Sequence, residues 1–238
     1  MTDSSVFLQP AFILQQRNFR ESSLLIDALT RDFGRISLVA KGVRKPKSKM
    51  AGILQPFVPL VISYLDKTDL KTLTAAEAAP SYRKLEGTAL YCGFYLNELI
   101  VGFFQFSDPH PELFYDYCNC INELSNQANQ ESALRNFELS LLNQAGYGLQ
   151  LSYAYPGERP IESNRQYHFD LEKGLVEAEN GLFSGASLRA IRAREFSDPD
   201  IRFQAKQLLR LVIDAYCPGR PLKSRAIMNQ FIKLTKHA

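Results

Sequence analysis

Between Val6 and Glu77 the apolar residues fall into five short runs, VFLQPAFILQQR, SLLIDALT, RISLVAKG, FVPLVISYL and LKTLTAAEA, and from Ser81 onward they recur at helical spacing instead. This change of period constrains the chain more than any other feature. A strand pattern buries one face of a sheet, whereas a 3.6-residue pattern buries a stripe on a helix. Five strands in under eighty residues suit a small closed or nearly closed barrel. The OB-fold is the commonest such barrel that binds nucleic acid, and an SH3-like barrel would leave nearly the same pattern. RDFGR reads as the hairpin connection between the second and third strands, with Gly34 free to take positive φ. Pro10, Pro56 and Pro59 belong near strand starts or edges, because proline donates nothing to a central ladder.

The expected architecture is therefore α+β: a barrel over residues 1–80, a helical domain over 81–148 and 186–238, and a small strand-and-turn insert over 149–185. Leu96, Leu99, Ile100, Phe103 and Phe104 make the first helical stripe. Ser107 or Asp108 is placed to cap a second helix carrying Leu113, Phe114, Tyr117, Ile121 and Leu124. Leu134, Phe137, Leu141 and Leu142 mark a third, stopped at Gly146 and Gly148. After the insert, Leu188 and Ile191 begin a short helix. Asp198 and Pro199 read as N-cap and first residue of the next. Its buried face is expected to hold Ile201, Ala205, Leu208, Leu209, Val212 and Ala215, and Cys217-Pro218-Gly219 ends it. A last helix from about Ser224 pairs Ile227 with Phe231 and Met228 with Ile232.

With 238 residues, 45% of them apolar, the chain can bury a sizeable core. Its opening, MTDSSVFLQPAFILQQ, lacks a basic stretch followed by a small-residue cleavage site, and no apolar run approaches membrane-spanning length. The expected location is the cytoplasm, at the nucleoid. Cys92, Cys118, Cys120 and Cys217 form no paired metal-ligand pattern, and read as small apolar side chains. Cys118 and Cys120, two apart on a helix, point to different faces.

The net charge of +3 hides an asymmetry. Residues 1–80 hold eleven Lys/Arg against seven Asp/Glu, 81–185 six against fourteen, and 186–238 eleven against four, so the segments carry +4, −8 and +7. Two basic ends around an acidic middle suggest a polyanion surface that part of the molecule does not share. The densest stretch is KGVRKPKSKMAG, where Lys41, Arg44, Lys45, Lys47 and Lys49 occur with no acid between Asp32 and Asp66. Between the third and fourth strands it becomes a mobile cationic loop at the barrel mouth, able to bind phosphates by releasing counterions, without sequence preference. Base-stacking candidates are Phe19, Phe33, Phe57 and Tyr64. Phe57 and Tyr64 lie in apolar strands and suit the core, and Phe19, between Arg17 and Arg20, is the best exposed candidate. Near the C-terminus, Arg202, Lys206 and Arg210 line one helical face. GRPLKSR adds Arg220, Lys223 and Arg225 at a helix start, where cations oppose the macrodipole.

Catalytic constellations are missing: there is no GxxxxGK[ST], GxSxG, HExxH or GxGxxG, and the three histidines, His110, His168 and His237, are scattered. The chain reads as a non-enzyme needing no cofactor. A protein-only scaffold and a metal-dependent nuclease are the competing classes. Salt dependence of DNA binding tests the first, and incubation of DNA with magnesium or manganese the second.

Taken in order, Gly34-Arg35 with LVAKGVR, ILQPFVPL, KTLTAAEA, YLNELI, ELFYDYCNCI, ALRNFELSLL with QAGYG, AREF and GRPLKSR resemble the RecO family of DNA repair proteins over nearly the whole chain. The resemblance implies an OB-fold, a helical domain and a small zinc-finger-like insert, in a protein that binds single-stranded and duplex DNA and anneals complementary strands. It further implies work with RecR and single-stranded-DNA-binding protein to assist RecA loading. Some members hold zinc in the insert through four cysteines; residues 149–185 contain none here, so the insert is expected to be zinc-free. The expected DNA-binding set joins the loop cations to Arg17, Arg20, Arg35 and Lys71 of the barrel and to Lys223 and Arg225. The acidic, phenylalanine-ended tail of single-stranded-DNA-binding protein is expected to meet Arg135, the only basic residue between Lys84 and Arg159, with Arg192, Lys206 or Arg210. An intrahelical pair of Arg135 with Glu131 or Glu138 is the alternative.

Overall fold

The computed structural model describes residues 4–80, 82–126, 129–217 and 222–235, without the side chains of 229 and 231–235. The expected pairs to Phe231 and Ile232, the stop at Pro218-Gly219, Arg220 and His237 lie outside the described residues. Two compact units result: residues 1–128 with 222–238, and residues 129–221.

The first unit is built on a closed barrel of β1 (Ser5–Phe19), β2 (Ser23–Thr30), β3 (Gly34–Ala40), β4 (Leu60–Leu65) and β5 (Leu70–Ala78), in the order β1-β2-β3-β5-β4. β1 pairs antiparallel with both β2 and β4, and a parallel pairing of β3 with β5 completes the closure. This is the OB arrangement. One strand serves two neighbours because β1 is irregular twice, between Val6 and Gln9 and between Ile13 and Gln15, with Leu8 at φ 52°. Pro10 lies inside β1, not at a strand start, and sits beside the first irregularity, where the ladder is already interrupted.

Ala11 and Ile13 join Ile26, Ile36, Leu38, Leu60, Ile62 and Tyr64 in the barrel core. Phe12 and Leu14 are equally buried but point the other way. The Phe12 ring lies 5.6 Å from Phe114 and 5.0 Å from Tyr117. Those residues belong to α2 (Pro111–Ser125), which follows α1 (Gly87–Phe103). β1 is thus apolar on both faces, and α1 and α2 belong with the barrel, so the packing draws its boundary beyond Ser81. Asn97 of α1 ties the layers together: its Nδ2 donates to the Leu14 carbonyl at 2.7 Å, and its Oδ1 accepts from the Tyr117 hydroxyl at 2.6 Å. A buried polar side chain is tolerable when satisfied on both ends in this way.

The α2 stripe is buried as expected, but its N-cap is His110, with Pro111 following, and not Ser107 or Asp108. Ser107 is engaged elsewhere, its N–H donating to the Arg35 carbonyl at 2.8 Å. This brings the α1–α2 connection against Gly34, where a Cβ would stand 2.0 Å from the Asp108 carbonyl oxygen. Glycine is needed there for space as well as for its φ of 63°. The last helix, α6 (Lys223–Thr235), begins on α1: Glu98 accepts from the N–H groups of Lys223 and Ser224 at 2.8 and 2.9 Å. A carboxylate on free N–H groups at a helix start offsets the unfavourable placement of Lys223 and Arg225 there.

The second unit comprises α3 (Gln130–Gln144), the short strands β6 (Tyr153–Ala154), β7 (Arg159–Pro160), β8 (Gln166–Asp170), β9 (Gly174–Glu177) and β10 (Phe183–Ser184), then α4 (Gly185–Ala193) and α5 (Pro199–Tyr216). The insert forms a β6–β7 ribbon and a β10-β8-β9 sheet around buried Tyr167, Leu175 and Phe183. A Cβ on Gly185 would lie 1.9 Å from the Glu162 carbonyl oxygen, so the chain closes on itself where α4 starts. Asp198 caps α5 as expected, accepting from Asp200 N–H. Its buried face uses Ile213 and leaves Ala215 exposed. No helix among the described residues is long and apolar enough to cross a membrane.

Candidate nucleic-acid interface

The turn Arg20–Ser22 joins β1 to β2, and strand register carries its neighbours to one end of the barrel. Arg17 stands opposite Leu25, Leu25 opposite Val39, and Leu24 opposite Ala40, after which Lys41 leaves the sheet. The segment from Lys41 to Pro59 then returns the chain to β4. It is anchored, where the sequence suggested a mobile loop. Val43 is fully buried, Met50, Ile53 and Leu54 pack on the barrel core, and turns close from Gly42 to Lys45 and from Lys45 to Ser48. Arg44 N–H donates to the Ser22 carbonyl at 2.9 Å, and its guanidinium reaches the Arg20 carbonyl at 3.3 Å.

Between those anchors Lys41, Arg44, Lys45, Lys47 and Lys49 are all exposed, as are Arg17 at the end of β1 and Arg20 on the adjoining turn. Glu21 is the one carboxylate within residues 17–22 and 41–59. The result is a cationic end whose charges are held together by backbone ties and apolar plugs, where phosphates can replace counterions. Phe19 is half-buried, with the Arg20 guanidinium 5.2 Å from its ring centre. Phe57 and Tyr64 are buried, and desolvation pushes the Tyr64 hydroxyl up to about 12. Phe33 packs edge-on against Tyr64 and is not part of the cationic end.

Two expected DNA ligands are placed otherwise. Arg35 is 5% exposed: it pairs with Asp27 at 2.7 Å, donates to the Val101 carbonyl at 2.9 Å and to that of Phe104, and lies over the Phe106 ring. It fastens the barrel to the C-terminal end of α1 and has no free donor face for a phosphate. Lys71 is 8% exposed and bonded to Asp66 at 2.7 Å, so its charge is already neutralised. Lys223 is exposed, while Arg225 is half-buried over Tyr95, 5.3 Å from the ring centre.

A family model described as recombination protein O N terminal matches residues 4–82, and one described as recombination protein O C terminal matches residues 85–226. The DNA repair protein RecO of Shigella boydii is 40% identical over 228 residues, 94% of either chain, and that of Salmonella typhimurium is 42% identical over 229 residues, again 94% of either chain. The chain belongs to the RecO family.

In this RecO-family chain the residues expected to meet a protein tail differ in burial and in partners. Arg135 is buried and paired with Glu138 at 2.8 Å, which is the intrahelical alternative, while Glu131 pairs with Arg202 at 3.3 Å. An arginine already buried against a carboxylate has little left for an incoming one. Arg192 donates to the Ser152 hydroxyl at 2.8 Å and so faces the insert. Lys206 and Arg210 remain exposed on α5, Arg210 3.6 Å from Asp214. Residues passed over in the sequence stand nearby. Phe203 is 60% exposed on α5, three residues before Lys206, and an aromatic on the polar arc of a helix was its available signal. Tyr153 and Tyr155 stand outward around buried Ala154, legible as the alternation in SYAY.

All four cysteines are free thiols; Cys92 and Cys120 are buried, and burial raises the pKa of Cys118. Among the described residues no group of three His, Cys, Asp or Glu is placed to hold a metal ion. We expect elemental analysis of the purified protein to find well under one zinc per chain; stoichiometric zinc would refute this.

Proposed function

We propose that the chain is a non-enzymatic mediator of recombinational DNA repair that binds single strands, and duplexes, through the cationic end of its barrel and anneals complementary strands. The observation that carries this is the grouping of seven exposed cations, Arg17 and Arg20 with Lys41, Arg44, Lys45, Lys47 and Lys49, around one anchored loop. No bond needs to be made. A surface that neutralises two strands at once lowers their repulsion and raises the local concentration of pairing partners, after which base pairing does the rest.

The family resemblance supports action with RecR and single-stranded-DNA-binding protein ahead of RecA loading, in the cytoplasm. For the acidic tail of the latter, the face of α5 with Phe203, Lys206 and Arg210 supplies an aromatic surface and two cations, in place of Arg135.

The test is titration of labelled oligo(dT) at two salt concentrations. If about six phosphates are engaged, affinity should fall roughly 300-fold for a fourfold rise in salt. Binding that ignores salt would favour a protein-only scaffold, and shortening of the DNA with magnesium or manganese present would favour a nuclease.

A further inference from the structure

An open cavity of about 280 Å³ lies between α4 and the β6–β7 ribbon, near the lower end of the size range of small-molecule pockets. Its apolar base is Leu151 and Ile161, both buried, and Tyr153 and Pro160, cross-strand partners, form one wall. The opposite side carries Arg189 and Arg192, three residues apart on α4 and hence on one face. Their guanidiniums rest on hydroxyls, Arg189 on Ser163 at 3.2 Å and Arg192 on Ser152 at 2.8 Å. A hydroxyl orients a guanidinium without neutralising it, and among the described residues no ion pair takes up either charge.

Tyr153 and Tyr155 flank buried Ala154 on extended backbone, so their rings leave the same face, 43% and 51% exposed. The Lys173 ammonium lies 5.7 Å from the centre of the Tyr155 ring. Exposed planar rings beside uncompensated arginines are the elements of a single-strand contact, with stacking for bases and cations for the backbone. An acidic peptide would use the arginines and the apolar base but gain nothing from two ring faces in succession.

We propose that this face of the insert is a second contact for single-stranded DNA, in which one base stacks on Tyr153 above the cavity, its neighbour uses Tyr155, and Arg189 and Arg192 hold the phosphates. The inference rests on the single-strand reading above and extends it to the second unit. It gives the cysteine-free insert a role that needs no metal.

Two labelled probes, oligo(dT) and an abasic oligomer of the same length, separate stacking from charge. Tyr153→Ala should weaken oligo(dT) roughly 5- to 100-fold and leave the abasic oligomer unaffected; Tyr153→Phe should keep wild-type affinity for both. Arg189→Ala with Arg192→Ala should weaken both probes and reduce the salt slope by about 1.4. On the unmodified protein, an iododeoxyuridine oligomer should cross-link to the peptide holding Tyr153 and Tyr155. If wild type shows no salt-dependent binding, the single-strand reading itself fails. If wild type binds but the Tyr153→Ala losses are absent or equal on both probes, or cross-links fall only within residues 17–49, the insert contact is overturned and the barrel reading stands. An acidic peptide that loses affinity for the double arginine variant, with oligo(dT) affinity unchanged, also overturns it.

Discussion

Arg35→Ala should destabilise the protein by about 3–5 kcal/mol, a large share of the roughly 5–15 kcal/mol that holds a folded domain together. The variant leaves the Asp27 carboxylate buried, accepting from the Gln15 amide at 3.1 Å. It also removes the donor from the Val101 and Phe104 carbonyls at the end of α1, and the cation from the Phe106 ring. The penalty comes from stranding the partner more than from losing the pair, so a second change should recover part of it. Arg35→Met combined with Asp27→Leu removes both charges, and should be more stable than Arg35→Ala alone despite carrying two substitutions. Urea unfolding of the single and double variants measures this directly. A loss below about 1 kcal/mol for Arg35→Ala would mean that the pair is not what fastens the barrel to α1.

Why Arg35 read as a DNA ligand shows what the sequence can convey. The strands were legible because SLLIDALT and LKTLTAAEA are bounded by turns and become β2 and β5 residue for residue. Charge that stays exposed was legible where no acid stands nearby in the sequence, as in the loop from Lys41 to Lys49. Nothing local distinguishes an arginine that meets solvent from one whose carboxylate stands eight residues away across a hairpin and whose carbonyl partners lie more than sixty residues on. Lys71 misled through register. In LKTL the apolar residues sit three apart, so one of them must face outward on a strand; Leu70 does, at 37% exposure, and Lys71 and Leu73 are buried instead. The unit boundary was obscured by β1, whose run AFIL signals burial on both faces. A strand that is apolar on its outer face needs a cover, and α1 with α2 supplies it.

Replacing Arg44, Lys45, Lys47 and Lys49 together by alanine should flatten the salt dependence of single-strand binding by up to about three units, because each phosphate contact contributes about 0.7 to the slope. At about 0.15 M salt that change corresponds to roughly 200-fold weaker binding, and the difference should vanish as salt approaches about 1 M, where counterion release no longer favours association. The same variant should melt within about 1 kcal/mol of wild type. All four side chains are exposed, the loop is held by Val43, Met50 and Leu54, and the Arg44 tie to Ser22 runs through its backbone N–H. The loss should be equal for oligo(dT) and for mixed sequences, since phosphate contacts carry no base information. A parallel shift in affinity with an unchanged slope would mean that the lysines act indirectly. An unaltered affinity would move the main DNA contact off the barrel, with Arg189 and Arg192 of the insert face the next residues to remove.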